Sequence, residues 1–276
     1  MSARDHKAAD EVAGRYSPRV ARVFDLYCQR LFAKRFTAFR VLGEPPEPVP
    51  ASRPMIGYAN HSSWYDPLMF LVLSRHYFSQ HIAYGPMDAV ALEKYAFMKK
   101  IGIFGVEQDS ARGAARFLQV SRGLLARPGN AVWITPQGEF ADVRTRPVRF
   151  QPGIARIARD CGAVMQPIAM ELVFWNEARP EVLVHFGQQI DTTQHQLDAD
   201  GWTKHLEDAL TRTQDELAEA AMSRDPARFV TMIDGTTGVN FIYDGWRYLK
   251  ALVRRESFSA AHGDTGSSTH SGKDKS

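Results

Sequence analysis

Met55-Ile56-Gly57-Tyr58-Ala59-Asn60-His61-Ser62-Ser63-Trp64-Tyr65-Asp66-Pro67-Leu68-Met69-Phe70-Leu71-Val72-Leu73 is the stretch that decides the fold. Its first five residues form an apolar run of the length of a short buried strand. From Pro67 the apolar residues continue as a helix, with proline suited to the first turn. Residues 60–66 therefore make a strand-to-helix bend, and a histidine and an aspartate on either side of it can meet. Asp66 then holds one imidazole nitrogen of His61 and leaves the other as a base for a hydroxyl. Ser62 and Ser63 read as helix-start hydrogen-bonding residues and Asn60 as a turn or cap residue. The plain alternative is a capped helix beside a hydrogen-bonded histidine, and the pair alone does not separate the two.

Outward from this bend, apolar strands alternate with helical patterns from Pro54 to Asp191. That order implies an α/β fold with a mixed, largely parallel sheet flanked by helices. Expected strands are Met55–Ala59, His81–Tyr84, Ile103–Val106, Ala131–Thr135, Val164–Glu171 and Val182–Phe186. Expected helices are Pro67–Arg75, Asp88–Met98, Ser110–Ala126 and Gly153–Arg159, followed by an amphipathic helix over Trp202–Met222 with Leu206, Leu210 and Leu217 on its apolar side.

The N-terminal part, residues 1–50, reads differently. Residues 1–17 are polar and expected to be poorly ordered. Over 18–42, Val20, Val23, Phe24, Tyr27, Leu31, Phe32 and Phe36 recur at helical spacing, with Arg19, Arg22, Arg30, Lys34, Arg35 and Arg40 mostly on the other face. That is a basic amphipathic helix, or two in succession, of a kind that lies on a membrane surface or packs on a core. Residues 44–50 (Glu-Pro-Pro-Glu-Pro-Val-Pro) form a stiff connector. Residues 51–256 are expected to hold the α/β domain and its C-terminal helices, with a second basic, aromatic segment at 239–255. Residues 257–276, rich in Ser, Gly, Thr and His, are expected to be a disordered tail. Gly266 to Lys273 loosely mimics a phosphate loop, but its spacing is wrong and Asp274 stands where Ser or Thr is required.

Composition narrows the function classes. The chain has 276 residues, 44% of them hydrophobic, and a formal net charge of +3. That charge gives no case for a nucleic-acid partner. Two isolated cysteines, Cys28 and Cys161, suit a reducing compartment and structural roles rather than disulfides. Neither a signal peptide nor an apolar run long enough to span a bilayer is visible, so the expected place is peripheral, at the cytoplasmic face of the membrane.

Three further blocks follow the bend: Ile101-Gly102-Ile103-Phe104-Gly105-Val106-Glu107-Gln108, Trp133-Ile134-Thr135-Pro136-Gln137-Gly138-Glu139-Phe140, and Gln166-Pro167-Ile168-Ala169. Their order and spacing, with Asn-His-x-Ser-x-x-Asp first, resemble the four motifs of the glycerolipid (lysophospholipid and 1-acylglycerol-3-phosphate) acyltransferase family, over about residues 50–195. The resemblance implies an acyl thioester donor, acyl-CoA or acyl carrier protein, and no other cofactor. It also places acceptor binding on Gln108, Pro136, Gln137, Gly138 and Glu139, with Arg112 a nearby cation.

Two departures bear on the acceptor. The family's phosphate-recognising arginine of the second block falls on Gln108. The third block, usually Pro-Glu-Gly-Thr-Arg, reads Pro136-Gln137-Gly138-Glu139-Phe140. A neutral amide does not replace a bidentate arginine, and a carboxylate at 139 repels phosphate. Arg112, Arg116, Arg144, Arg146 and Arg149 are the cations nearby in sequence. The expected acceptor is therefore a lipid with a hydroxyl but without a simple phosphomonoester head: a glycolipid, a larger-headed lysophospholipid or a hydroxylated isoprenoid. Two other classes stay open on the residues alone. One is a non-catalytic lipid-binding or membrane-associated protein that keeps the fold. The other is a metal-dependent hydrolase using His61, Asp66 and His76 or His81, although no compact ligand spacing supports it.

Overall fold

Residues 55–59 lie in the middle of a nine-stranded sheet, and every one of the five is buried. The computed structural model describes residues 2–235. In chain order the first half comprises α1 (Ala3–Ala13), α2 (Pro18–Arg35), β1 (Ala38–Leu42), β2 (Met55–Ala59), α3 (Asp66–Tyr77), β3 (Ile82–Asp88), α4 (Ala89–Lys94) and β4 (Ile103–Val106). The second half comprises α5 (Ala111–Leu125), β5 (Asn130–Ile134), α6 (Gly153–Cys161), β6 (Val164–Val173), β7 (Glu181–Phe186), β8 (Ile190–Asp191), α7 (Ala199–Ser223) and β9 (Phe229–Asp234).

The sheet runs β4-β3-β5-β2-β6-β7-β1-β9, with β8 paired to β6. The first five strands are mutually parallel, which is why they read as continuous apolar runs. β7 is antiparallel to β6, and β1 is parallel to β7 and antiparallel to β9. This is the mixed, largely parallel architecture that the alternating pattern implied.

Side chains of β2 alternate between two cores. Ile56 and Tyr58 pack with Val120, Leu124, Ile154 and Trp202 under α5, α6 and α7. Met55 and Ala59 pack with Cys28, Phe32, Leu68 and Trp133 under α2 and α3. Gly57 makes room for the Trp133 indole of neighbouring β5, which a Cβ at 57 would meet at 2.8 Å.

Several N-terminal expectations change. Residues 3–13 are helical, with Ser2 and Asp5 forming a reciprocal capping box. The helix buries Ala8, Ala9 and Val12 against α5, where Gly123 admits it so closely that a Cβ there would lie 2.2 Å from the Asp5 carbonyl oxygen. Small side chains explain both the close contact and the polar look of this segment. Residues 38–42, expected in a helix, are strand β1, because β7 and β9 offer ladders on both sides, with Phe39 opposite Val182 and Ile233. On α2 the buried positions are Ala21, Asp25, Cys28 and Phe32. Val23, Leu26 and Tyr27 face outward among Arg19, Arg22, Arg30 and Lys34, so the apolar and basic faces are not separated as expected.

Elsewhere the helix expected over 88–98 is divided into α4 and a 3-10 turn over Ala96–Ile101. β8 and β9 were not anticipated. The segments at 239–255 and 257–276 lie outside the described residues.

Candidate active site

Parallel strands end at one edge of their sheet, and ligands of open α/β sheets bind beyond those carboxyl ends. The first block leaves β2 there, the third leaves β5 beside it, and the fourth lies within β6 on the other side. Asn60 secures the exit of β2. Its amide donates to the Met170 carbonyl at 2.9 Å, and its carbonyl accepts from Met170 N–H at 2.8 Å. Asn60 is thus a latch between β2 and β6 rather than a helix cap.

His61 and Asp66 meet across the bend. The Nδ1 of His61 lies 2.8 Å from Asp66 Oδ2, and the same oxygen accepts the backbone N–H groups of Ser62 at 2.8 Å and Ser63 at 2.9 Å. Three donors converge on one carboxylate oxygen, so Nδ1 carries the proton and Nε2 is left with its lone pair. Asp66 is fully buried as the first residue of α3, where the helix N-terminus favours a negative charge. The His61 side chain is 17% exposed and, among the described residues, has no partner at Nε2. Ser63 Oγ accepts the Tyr65 N–H, in keeping with a local helix-start role.

The third block grips residue 61 from both sides. The N–H of His61 donates to Gln137 Oε1 at 2.8 Å, and Ala141 N–H donates to the His61 carbonyl at 2.7 Å. The ring of Phe140 lies against the imidazole, with centroids 4.2 Å apart and planes at 34°. Gly138 makes the turn possible, at a φ of +79° where side chains other than glycine's are strained. Pro136 accepts the Gln151 N–H at 2.8 Å and sits buried at the strand end. Glu139 is exposed and has neither a hydrogen bond nor an ion pair among the described residues.

Other expected site residues stand apart. Gln108 and Arg112, both exposed, follow β4, which is three positions from β2 and so about 14 Å away at ordinary strand spacing. Arg116 pairs with Glu11, Arg144 with Asp142, Arg146 with Asp215 and Arg149 with Glu207. Among the described residues, Arg112 is the one of these five arginines without a carboxylate partner. His76 is ten residues along α3 from Asp66, about 15 Å, and His81 Nε2 is engaged by the Arg53 carbonyl at 2.9 Å. Among the described residues no three His, Cys, Asp or Glu side chains gather as a metal-ligand set. Burial pushes the thiols of Cys28 and Cys161 up to about 12, consistent with structural roles.

These blocks fall inside one sequence match, because residues 40–171 fit the model of the family described as Acyltransferase. Residues 40–171 match an acyltransferase domain. It runs from within β1 to within β6 and contains all four blocks. Among solved structures, the crystal structure of the 1-acyl-sn-glycerophosphate (LPA) acyltransferase PlsC from Thermotoga maritima is similar, with a TM-score of 0.52 and 16% identity. The likeness covers 72% of this chain and 79% of that one, and it shows a shared fold. No curated protein matches the chain. No described helix of the chain is long and apolar enough to cross a membrane.

Sequence reasoning missed the Phe140 contact and the Asn60 latch. Both join residues far apart in the chain, and nothing in the local pattern signals either. Glu171, also unremarked, is half-buried just past the buried part of β6; burial raises its carboxyl, opposed by Arg144 and Arg146.

Proposed function

We propose that this domain is an O-acyltransferase that moves a fatty acyl group from an acyl thioester, acyl-CoA or acyl carrier protein, to a hydroxyl of a lipid-type acceptor. The observation that carries the reading is His61 held at Nδ1 by a buried Asp66, with Nε2 open at the carboxyl edge of the sheet. In this scheme Nε2 takes the acceptor's hydroxyl proton as the oxygen attacks the thioester carbon. The tetrahedral intermediate collapses with loss of the C–S bond, and Nε2 returns the proton to the departing thiolate. The products are one ester and one thiol. No enzyme nucleophile is required, and Asp66 fixes the tautomer and stabilises the imidazolium.

The acceptor in this reading lacks a simple phosphomonoester head. Gln108 and Phe140 stand at the cation positions, Glu139 is an exposed carboxylate, and four of the five nearby arginines are paired. Contact with the cytoplasmic face of a membrane would fall to the outer stripe of α2. There Val23 is 68% and Tyr27 54% exposed among four basic residues, and Phe24 extends the patch to Phe97 by a ring contact of 5.3 Å. Apolar side chains inside a cationic rim suit an anionic lipid surface.

Purified protein incubated with labelled acyl-CoA and total bacterial lipid, beside His61→Ala, tests the reading by mass spectrometry. A labelled lipid absent from the control is expected, and its mass identifies the acceptor class. Folded protein that yields no product with either acyl-CoA or acyl carrier protein would overturn the proposal.

A further inference from the structure

Phe140 is 63% exposed, yet its ring is set against an imidazole whose side chain is only 17% exposed. At 4.2 Å between centroids and 34° between planes, the two rings are in close, tilted contact, far from perpendicular. The ring fills no core. It is held in place by two bonds to the His61 backbone, one accepted by the Gln137 side chain and one donated by the Ala141 N–H. An exposed aromatic fixed over one particular side chain calls for a local reason.

We propose that Phe140 is a positioning residue whose π face steadies His61 as the ring becomes an imidazolium. The proposal rests on the reading of His61 as the general base. When the acceptor's proton reaches Nε2, the imidazole gains a positive charge, which leaves again with the proton returned to the thiolate. Asp66 of α3 meets that charge at the Nδ1 edge. Phe140, from the loop after β5, meets it at the ring face, where the aromatic quadrupole is negative. On the same loop Gln137 is uncharged, and exposed Glu139 makes no contact with the imidazole. Among the described residues no other titratable side chain has a hydrogen bond, ion pair or ring contact with His61. An arginine at 140 would do the opposite, setting a like charge beside the imidazolium.

The test follows the titration of His61 by its imidazole NMR signals in the free protein, for wild type, Phe140→Leu and Phe140→Trp. Leucine keeps an apolar cover but removes the π face, so exposure to water changes little while the quadrupole is lost. The expected midpoint is about half a pH unit lower in Phe140→Leu and at or above the wild-type value in Phe140→Trp. The matching loss in kcat for Phe140→Leu is about two- to fivefold. Equal midpoints in wild type and Phe140→Leu, with the acidic limb of kcat/KM still at the His61 midpoint, overturn this proposal alone. An acidic limb that ignores the His61 midpoint overturns the general-base reading and, with it, the role given to Phe140.

Discussion

The side-chain amide of Asn60 and the backbone of Met170 close a two-bond ring, with distances of 2.9 and 2.8 Å, in a fully buried setting. It stands in for a rung of the parallel ladder one residue beyond the end of β2, directly before the base. Asn60→Ala strands a buried N–H and a buried C=O, and should cost about 2–3 kcal/mol in urea unfolding. Asn60→Asp keeps the acceptor but sets a second oxygen against the Met170 carbonyl, and should do no better. A loss below about 0.5 kcal/mol for either would mean that the latch does not hold the strands together.

Asp66→Asn is expected to lower kcat by about two to four orders of magnitude, because an amide presents donors where three N–H groups converge and favours the wrong imidazole tautomer. Far-UV circular dichroism should stay close to wild type. A variant with near-normal turnover would remove Asp66 from the mechanism.

Gln137 has a backbone-holding role that can be told from acceptor binding by kinetics. Gln137→Ala frees the His61 N–H, so kcat should fall about fivefold while KM for the acceptor stays level, since the bond removed is worth roughly 1 kcal/mol. A raised acceptor KM at unchanged kcat would instead place Gln137 on the substrate.

The double substitution Val23→Asp and Tyr27→Asp puts two carboxylates in the outward stripe of α2. Both positions are exposed, so the melting temperature should hold within about 2 °C. Co-sedimentation with vesicles of anionic lipid should be lost, and the wild-type protein should release progressively as salt rises. Undiminished binding by the double variant would assign the membrane contact to another face.

Acid should loosen the amino end of the sheet through Arg53 and Asp191. Two guanidinium nitrogens of Arg53 donate to Asp191, at 2.8 and 3.2 Å, and Arg53 holds that carboxyl well below the ordinary carboxylate range. A carboxyl depressed on folding stabilises the protein above its unfolded value, about 3.9, and the gain is lost as pH falls further. The gap in melting temperature between wild type and Asp191→Asn should be full at neutral pH and narrow below about pH 4. A gap that does not change with pH would contradict this.

What could be read in the chain followed the range of the forces involved. β2 and β4 begin and end where the apolar runs do, and the His61–Asp66 pair was visible because it lies within six residues on one bend. β1 was hidden because Ala-Phe-Arg-Val-Leu suits a helix as well as a strand, and its partners lie about 140 and 190 residues onward. α1 was hidden because its packed face is mostly alanine, which signals little to a hydrophobic pattern yet fits the notch at Gly123. On α2, periodicity placed the helix but not the side it turns to the core; Asp25, bonded to Gln29 and paired with Arg75, faces inward while Val23 faces out.

Base and clasp are borne on adjacent parallel strands, Tyr58 of β2 lying opposite Ile134 of β5. The placement of the site is therefore inherited from the ladder between two central strands, from which both segments depart. Such an arrangement separates what must stay fixed from what is free to diversify. Residues 60–66 and 136–141 form the part tied together by hydrogen bonds, whereas 107–112 and 142–150 lie outside those ties, so under the proposed reading they are the segments to rebuild without disturbing His61.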